Sequence, residues 1–166
     1  MDYIKEIGVQ ALGSRLKRLS DQFNVSYVDI YKGKDIVFKP NWFLLMHYLS
    51  TYHEKSVTEI AHSLNITHPS VNQITKDMLE QGILVARNDE NDGRKRLLRL
   101  SSTGKELVDE IMPIWECIWE SHVEMIEATG CNILEIIEKL ENALSSASLA
   151  ERVEEKLRAR GNRYSR

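Results

Sequence analysis

The twenty residues VTEIAHSLNITHPSVNQITK (57–76) constrain the fold of this chain more than any other stretch. Two short helices that cross steeply need a small residue at the crossing, a turn residue that tolerates positive φ, and apolar residues that lock the second helix. Ala61 is the small residue, and Asn65 stands at the turn, where Asn adopts a left-handed conformation more readily than most. Ile66 plugs the turn, Ile60 and Leu64 lock the first helix, and Val71, Ile74 and Met78 lock the second. This is helix-turn-helix spacing. The local signals agree with it. Ser56 and Glu59 have the spacing of a capping box, Thr67 can cap the second helix, and Pro69 falls in its first turn, where a missing N–H matters least. Gly82 marks the stop after Gln81.

The second helix, 67–81, leaves His68, Ser70, Asn72, Gln73, Lys76 and Asp77 off its apolar stripe. Its first half is polar and uncharged. Amides and hydroxyls suit base edges in a major groove, and a helix N-terminus offers free N–H groups to a phosphate. An ordinary solvated face would look similar, but the position on the second helix of this motif favours recognition.

Two short strand candidates follow, 83–87 and 96–101, around the loop NDENDGRKR (88–96). A hairpin directly after a recognition helix is a wing. Arg87, Arg94, Lys95, Arg96 and Arg99 surround it, and a narrow minor groove accepts arginine. Asp92, two residues before Arg94, can hold that guanidinium extended through a charge-assisted bond. This explains why the charge changes sign so abruptly within the loop.

From Ser56 to Leu107 the chain resembles the multiple-antibiotic-resistance regulator (MarR) family of winged-helix transcription factors. The matching residues are the helix-turn-helix, GILVAR (82–87), the pair Asp92 and Arg94, and LSSTG (100–104). The resemblance implies an obligate homodimer whose first and last two helices pair across a two-fold axis. It also implies a recognition helix in the major groove and a wing (87–96) in the minor groove. The family's wing aspartate and arginine carry over to Asp92 and Arg94. Gly93 departs from the family, which often has another base there, and so does the stretch before Pro40. Relatives often bind phenolic or aromatic-acid ligands, and some respond to thiol oxidation. Candidates for a small aromatic effector site are Tyr27, Trp42, His47, Trp115, Trp119 and His122, although such residues more often belong to a core.

The remainder reads as helix. Residues 4–23 space apolar side chains by three to four, 24–40 read as a loop with a short strand at 36–38, and 41–52 form a dense apolar helix buried on most sides. A long helix over 102–128 carries Leu107, Ile111, Trp115, Ile118, His122 and Met125, with Pro113 expected to bend it. Asn132 and Glu135 form a second capping-box pattern, opening a helix that continues through Leu144 toward Val153 and Leu157. The expected fold is mainly α with a small β-hairpin wing. A winged helix-turn-helix lobe (41–101) is joined to a helical dimerisation region (1–40 and 102–160) within a single domain.

Charge sharpens the choice of partner. The net charge of −3 hides an uneven distribution. Residues 1–101 carry 14 basic and 12 acidic side chains, residues 102–151 carry 2 and 11, and residues 152–166 carry 6 and 2. A basic surface must therefore be local, with the acidic stretch facing away from a polyanion. The expected partners are a pseudo-palindromic double-stranded DNA site and a second copy of the chain. The alternative is a winged-helix module that binds protein instead of DNA. No zinc-protease, dinucleotide-binding, P-loop or nucleophile-elbow motif is present, so a non-enzymatic protein without a cofactor is expected. Cys117 and Cys131 lack metal-site spacing and read as semi-buried thiols. The sequence shows no membrane-spanning run and no apolar leader at its start, which makes the cytoplasm the expected compartment.

Overall fold

The computed structural model describes residues 1–90, 92–93 and 95–161. The chain forms two compact units, Met1–Ile111 and Met112–Arg166. It is mainly helical, with one three-stranded antiparallel sheet.

The first unit opens with α1 (Tyr3–Glu6), a 3-10 turn (Gly8–Ala11) and α2 (Leu12–Lys32). The expected single helix over 4–23 is thus divided and extended. Gly8 takes φ +58°, which ends α1 and redirects the chain. The Arg18 guanidinium donates to both Asp2 oxygens, at 3.1 and 2.9 Å, and fastens the first residues to α2. Beyond Phe23 the apolar spacing continues through Tyr27, Val28 and Tyr31, so helix replaces the loop expected at 24–32. No strand forms at 36–38. With no neighbouring strand to pair with, this segment turns inward instead. Buried Phe38 contacts Tyr31 at 4.5 Å between ring centroids and meets Trp42 edge-on at 6.0 Å.

A second 3-10 turn (Pro40–Trp42) leads into α3 (Phe43–Tyr52). Trp42, Leu45, Met46 and Leu49 are buried, whereas Leu44 and Tyr52 are exposed. The segment is therefore two-sided rather than buried on most sides. His53, at φ 63° and ψ −78°, turns the chain into β1 (Glu54–Ser56). This strand was not expected, because Glu-Lys-Ser shows no apolar alternation. Its pairing with a strand more than forty residues later defines it.

The capping box at Ser56 is fully formed. The Ser56 N–H donates to Glu59 Oε2 at 2.8 Å, and the Glu59 N–H returns to Ser56 Oγ at 3.2 Å. This opens α4 (Val57–Ser63), followed by α5 (His68–Glu80). Asn65 sits at φ 51°, as its place in the turn requires, and the Ile66 N–H donates to the Ala61 carbonyl. The hairpin of β2 (Leu84–Asn88) and β3 (Arg96–Leu100) completes a sheet with order β1-β3-β2. Leu84, Leu98 and Leu100 face the core with Ile60, Val71 and Met78. Ser101 then opens α6 (Ser102–Ala128) by accepting from the Gly104 N–H, and its hydroxyl also donates to the Gly82 carbonyl at 2.6 Å. Pro113 lies inside this continuous helix.

The second unit holds the remainder of α6, then α7 (Ile133–Ser146) and α8 (Leu149–Ala159). Asn132 accepts from the Glu135 N–H at 3.3 Å and caps α7. The helix expected to continue toward Leu157 breaks at Ala147, which is extended, and Ser148 with Glu151 forms another capping box. The unbroken apolar stripe hid this break. The Arg152 guanidinium covers the end of α7 by donating to the Ala147 and Ala143 carbonyls. Leu134, Ile137, Leu140, Leu144, Leu149 and Val153 are all exposed in the single chain. Cys117 and Cys131 are exposed too, not semi-buried as their residue type suggests. No helix among the described residues is long and apolar enough to cross a membrane.

Candidate nucleic-acid interface

Thr67 fixes the start of α5. Its hydroxyl accepts from the Ser70 N–H at 3.3 Å and bonds the Ser70 hydroxyl at 2.9 Å. Val71, Thr75 and Met78 point inward, which turns His68, Ser70, Asn72, Gln73 and Lys76 to the exposed side. Ser70 is thus partly committed to the cap. Asp77, grouped by sequence with the outward residues, is tied back instead. Its carboxylate accepts from the fully buried Trp42 indole at 2.9 Å and from Lys39 Nζ at 2.8 Å. The Lys39 hydrogen bond, against some burial and with help from Trp42, holds the Asp77 carboxyl below the usual carboxylate range.

The wing divides its bases between two faces of the sheet. Side chains alternate along β3, so Arg96 shares a face with Leu98 and Leu100, toward α5. There it lines a shallow groove with Asn72, Thr75, Lys76, Leu79 and Glu80. Helix α5 and the hairpin therefore bring Asn72, Lys76 and Arg96 to one surface. Arg87 and Arg99 lie on the opposite face. Arg87 donates through Nε and Nη2 to the two Glu54 oxygens at 3.0 and 2.6 Å, and Arg99 Nε stands 3.9 Å from the same carboxylate. The hydrogen bonds that Arg87 donates to Glu54 raise the Arg87 pKa above its ordinary value.

At the tip, the Lys95 N–H donates to the Asp92 carbonyl at 2.8 Å, and the Asp89 N–H donates to the Lys95 carbonyl at 2.9 Å. Lys95 Nζ approaches the Asp92 carboxylate at 4.0 Å. Arg94, and with it the expected Asp92–Arg94 bond, lies outside the described residues.

The six effector candidates are scattered in environment. Trp42 is fully buried with its N–H occupied, and Trp115 is buried as well. Tyr27 stacks on Phe23 at 6.1 Å, and burial raises its pKa. His47 is exposed beside Phe43, Trp119 is exposed, and His122 is half-buried. A groove within the first unit contains none of the six. It has Leu49, Leu100 and Val108 in its wall and Arg99, Lys105 and Asp109 among its polar residues. Among the described residues no group of three or more His, Cys, Asp or Glu could hold a metal ion.

Sequence reasoning missed Glu54, Asp77 and Lys39 as positioning residues. Glu54 and Arg87 are 33 residues apart and Lys39 and Asp77 are 38 apart, so no local spacing could have paired them.

A steep helix pair, a capped exposed second helix and a hairpin that adds a base beside it define a winged helix-turn-helix protein. Residues 38–95 match the MarR family model. No curated protein matches the chain by sequence. Solved structures of the same fold include a MarR/EmrR family transcriptional regulator from Acinetobacter sp. ADP1. It is 17% identical, with 82% of this chain and 96% of that one covered at TM-score 0.68. A Staphylococcus aureus MepR–DNA complex is 18% identical, covering 81% and 97% at TM-score 0.64. Bordetella bronchiseptica BpsR, whose DNA binding is regulated by 6-hydroxynicotinic acid, is 20% identical, covering 78% and 98% at TM-score 0.54.

Proposed function

We propose that the protein is a sequence-specific, double-stranded-DNA-binding transcriptional regulator that acts as a homodimer in the cytoplasm. The observation that carries this reading is the surface shared by α5 and the wing. Exposed, uncharged Asn72 and Gln73 stand beside Lys76, with Arg96 from β3 completing the groove. Helix 67–81 enters the major groove, where amides read base edges and the helix N-terminus meets phosphate. The wing, 87–96, reaches the minor groove through Lys95, Arg96 and Arg94, with Asp92 steering the last of these.

The dimer has its own support. Leucines and isoleucines stand exposed along α2 and, in the second unit, along α7 and α8, and runs of bare apolar side chains mark an interface. The helical segments 1–40 and 102–160 supply the two-fold interface, and 41–101 supplies the DNA-binding lobe. Two half-sites then lie about one helical turn, ~34 Å, apart in a pseudo-palindrome. BpsR offers a precedent for a small aromatic effector. In this chain the accessible candidates are Tyr27, His47, Trp119 and His122.

A protein-interaction module is the second reading, favoured by the 11 acidic against 2 basic residues over 102–151. Selection from random duplexes, followed by salt titration of the selected site, separates the two. A dimer that touches on the order of 8 phosphates gives a steep log–log salt dependence, about −0.9 per contact. A flat response, or no duplex binding at low salt, leaves the interaction module.

A further inference from the structure

We infer that Glu54 is a positioning residue for the wing: it straps Arg87 across the sheet, so that Arg87 holds the hairpin and does not touch nucleic acid. This rests on the reading that the wing meets DNA, and it reassigns an arginine that sequence alone places among the contacts.

The sheet order β1-β3-β2 puts Glu54 and Arg87 on opposite edge strands. Glu54 pairs in register with Arg99, and Arg99 with Val85, so these three share a face. Arg87 lies on that same face, two residues nearer the tip. Its side chain therefore passes over the central strand, spanning roughly 9–10 Å at ordinary strand spacing, and folds back toward the base of the hairpin. Both Glu54 oxygens are engaged, and Glu90 adds a second carboxylate 3.5 Å from Arg87 Nη1. A phosphate would have to displace two acids to reach this guanidinium. Arg96, on the other face, makes no ion pair among the described residues and stands beside Lys76 in the groove with α5.

The wing also needs an anchor. A two-stranded hairpin is marginal alone, and β1 contributes only three residues to the third strand. Exposed ion pairs generally add little stability. This one is bidentate, and the Glu54 side chain is only 23% exposed, so its effect is on geometry. It joins both edges of the sheet and sets the angle at which the tip leaves the lobe.

Glu54→Gln, Arg87→Lys and Arg87→Gln test the strap through two readouts. The first is amide hydrogen exchange in the free protein. All three variants should raise exchange over residues 84–100 while leaving the core amides of α3 and α5 unchanged. The second is the salt dependence of binding to a duplex selected from random sequences. All three should weaken binding several-fold with an unchanged slope, because no phosphate contact is lost. Lysine should fail to substitute, since a point charge cannot form the fork. The inference is overturned if Arg87→Lys binds like the parent while Arg87→Gln flattens the slope by about 0.9, the mark of a phosphate contact. Unchanged exchange in Glu54→Gln overturns it as well. If the parent protein binds no duplex at any salt, the proposed function fails, and the exchange measurement alone still decides whether the strap exists.

Discussion

The Trp42 indole N–H donates to the Asp77 carboxylate at 2.9 Å, joining the turn before α3 to α5. Trp42 is fully buried, so this hydrogen bond satisfies a donor that water cannot reach. Asp77→Leu removes the acceptor and strands the indole N–H. It should destabilise the protein by about 1–3 kcal/mol, the penalty for an unsatisfied buried polar group. Asp77→Asn keeps a carbonyl acceptor and should lose less. Urea unfolding of the two variants, compared by midpoint at equal slope, checks the order.

The same carboxylate makes stability depend on pH. The Lys39 hydrogen bond holds the folded-state pKa of Asp77 below its ordinary value, and the Ser56 hydroxyl and N–H do the same for Glu59. A depressed pKa means that the unfolded chain takes up protons first. The stabilisation is fully present above the unfolded value of about 4, and it is lost as pH falls through the lower folded values. Asp77→Asn and Glu59→Gln should therefore each make the acid-side decline shallower. Each variant should also be least disadvantaged against the parent at the lowest pH. Urea midpoints collected from about pH 7 to about pH 3 test the sign.

Gly104 and Gly93 make opposite predictions. A Cβ on Gly104 would stand 2.2 Å from the Ile83 carbonyl oxygen, where β2 and the first turn of α6 meet. Gly104→Ala must push backbone against backbone and should destabilise by at least the ~1–3 kcal/mol typical of overpacking. A Cβ on Gly93 meets nothing within 4 Å, and its φ lies outside the left-handed range. Gly93→Ala should leave the melting temperature unchanged within error. Thermal unfolding followed by circular dichroism distinguishes the two.

The parts of this fold legible in the sequence are those whose cause is local. Ser56 finds Glu59 three residues away, Asn65 tolerates its own turn, and Gly82 ends α5 through its own backbone freedom at φ 69°. Apolar periodicity then placed α5, both hairpin strands and α6. Failures arose where a distant partner decides. Glu54–Ser56 is a strand because β3 lies beside it, and Arg87 folds back because Glu54 waits across the sheet. The missed break at Ala147 has another origin. Ser148 and Glu151 repeat the signal read at Ser56, but an apolar stripe that runs on past Leu144 masked it.

Gln73 and Lys76 occupy neighbouring exposed turns of α5 and should fail in different ways. The Gln73 amide can bond a base edge with both its donor and its acceptor, an interaction that depends on the base. Lys76 is a point charge that approaches Glu80 at 3.9 Å, with both side chains mostly exposed. Such a group follows phosphate without regard to sequence. On a selected duplex, Gln73→Ala should relax preference at one or two base pairs by about 1–3 kcal/mol and leave the salt slope unchanged. Lys76→Ala should weaken every duplex alike and reduce the slope by about 0.9 for each contact removed. Competition binding against single-base variants of the site, repeated at several salt concentrations, reads both quantities at once. If both substitutions weakened all duplexes equally and shifted the slope equally, neither side chain would be reading bases, and α5 would be docked on the backbone alone.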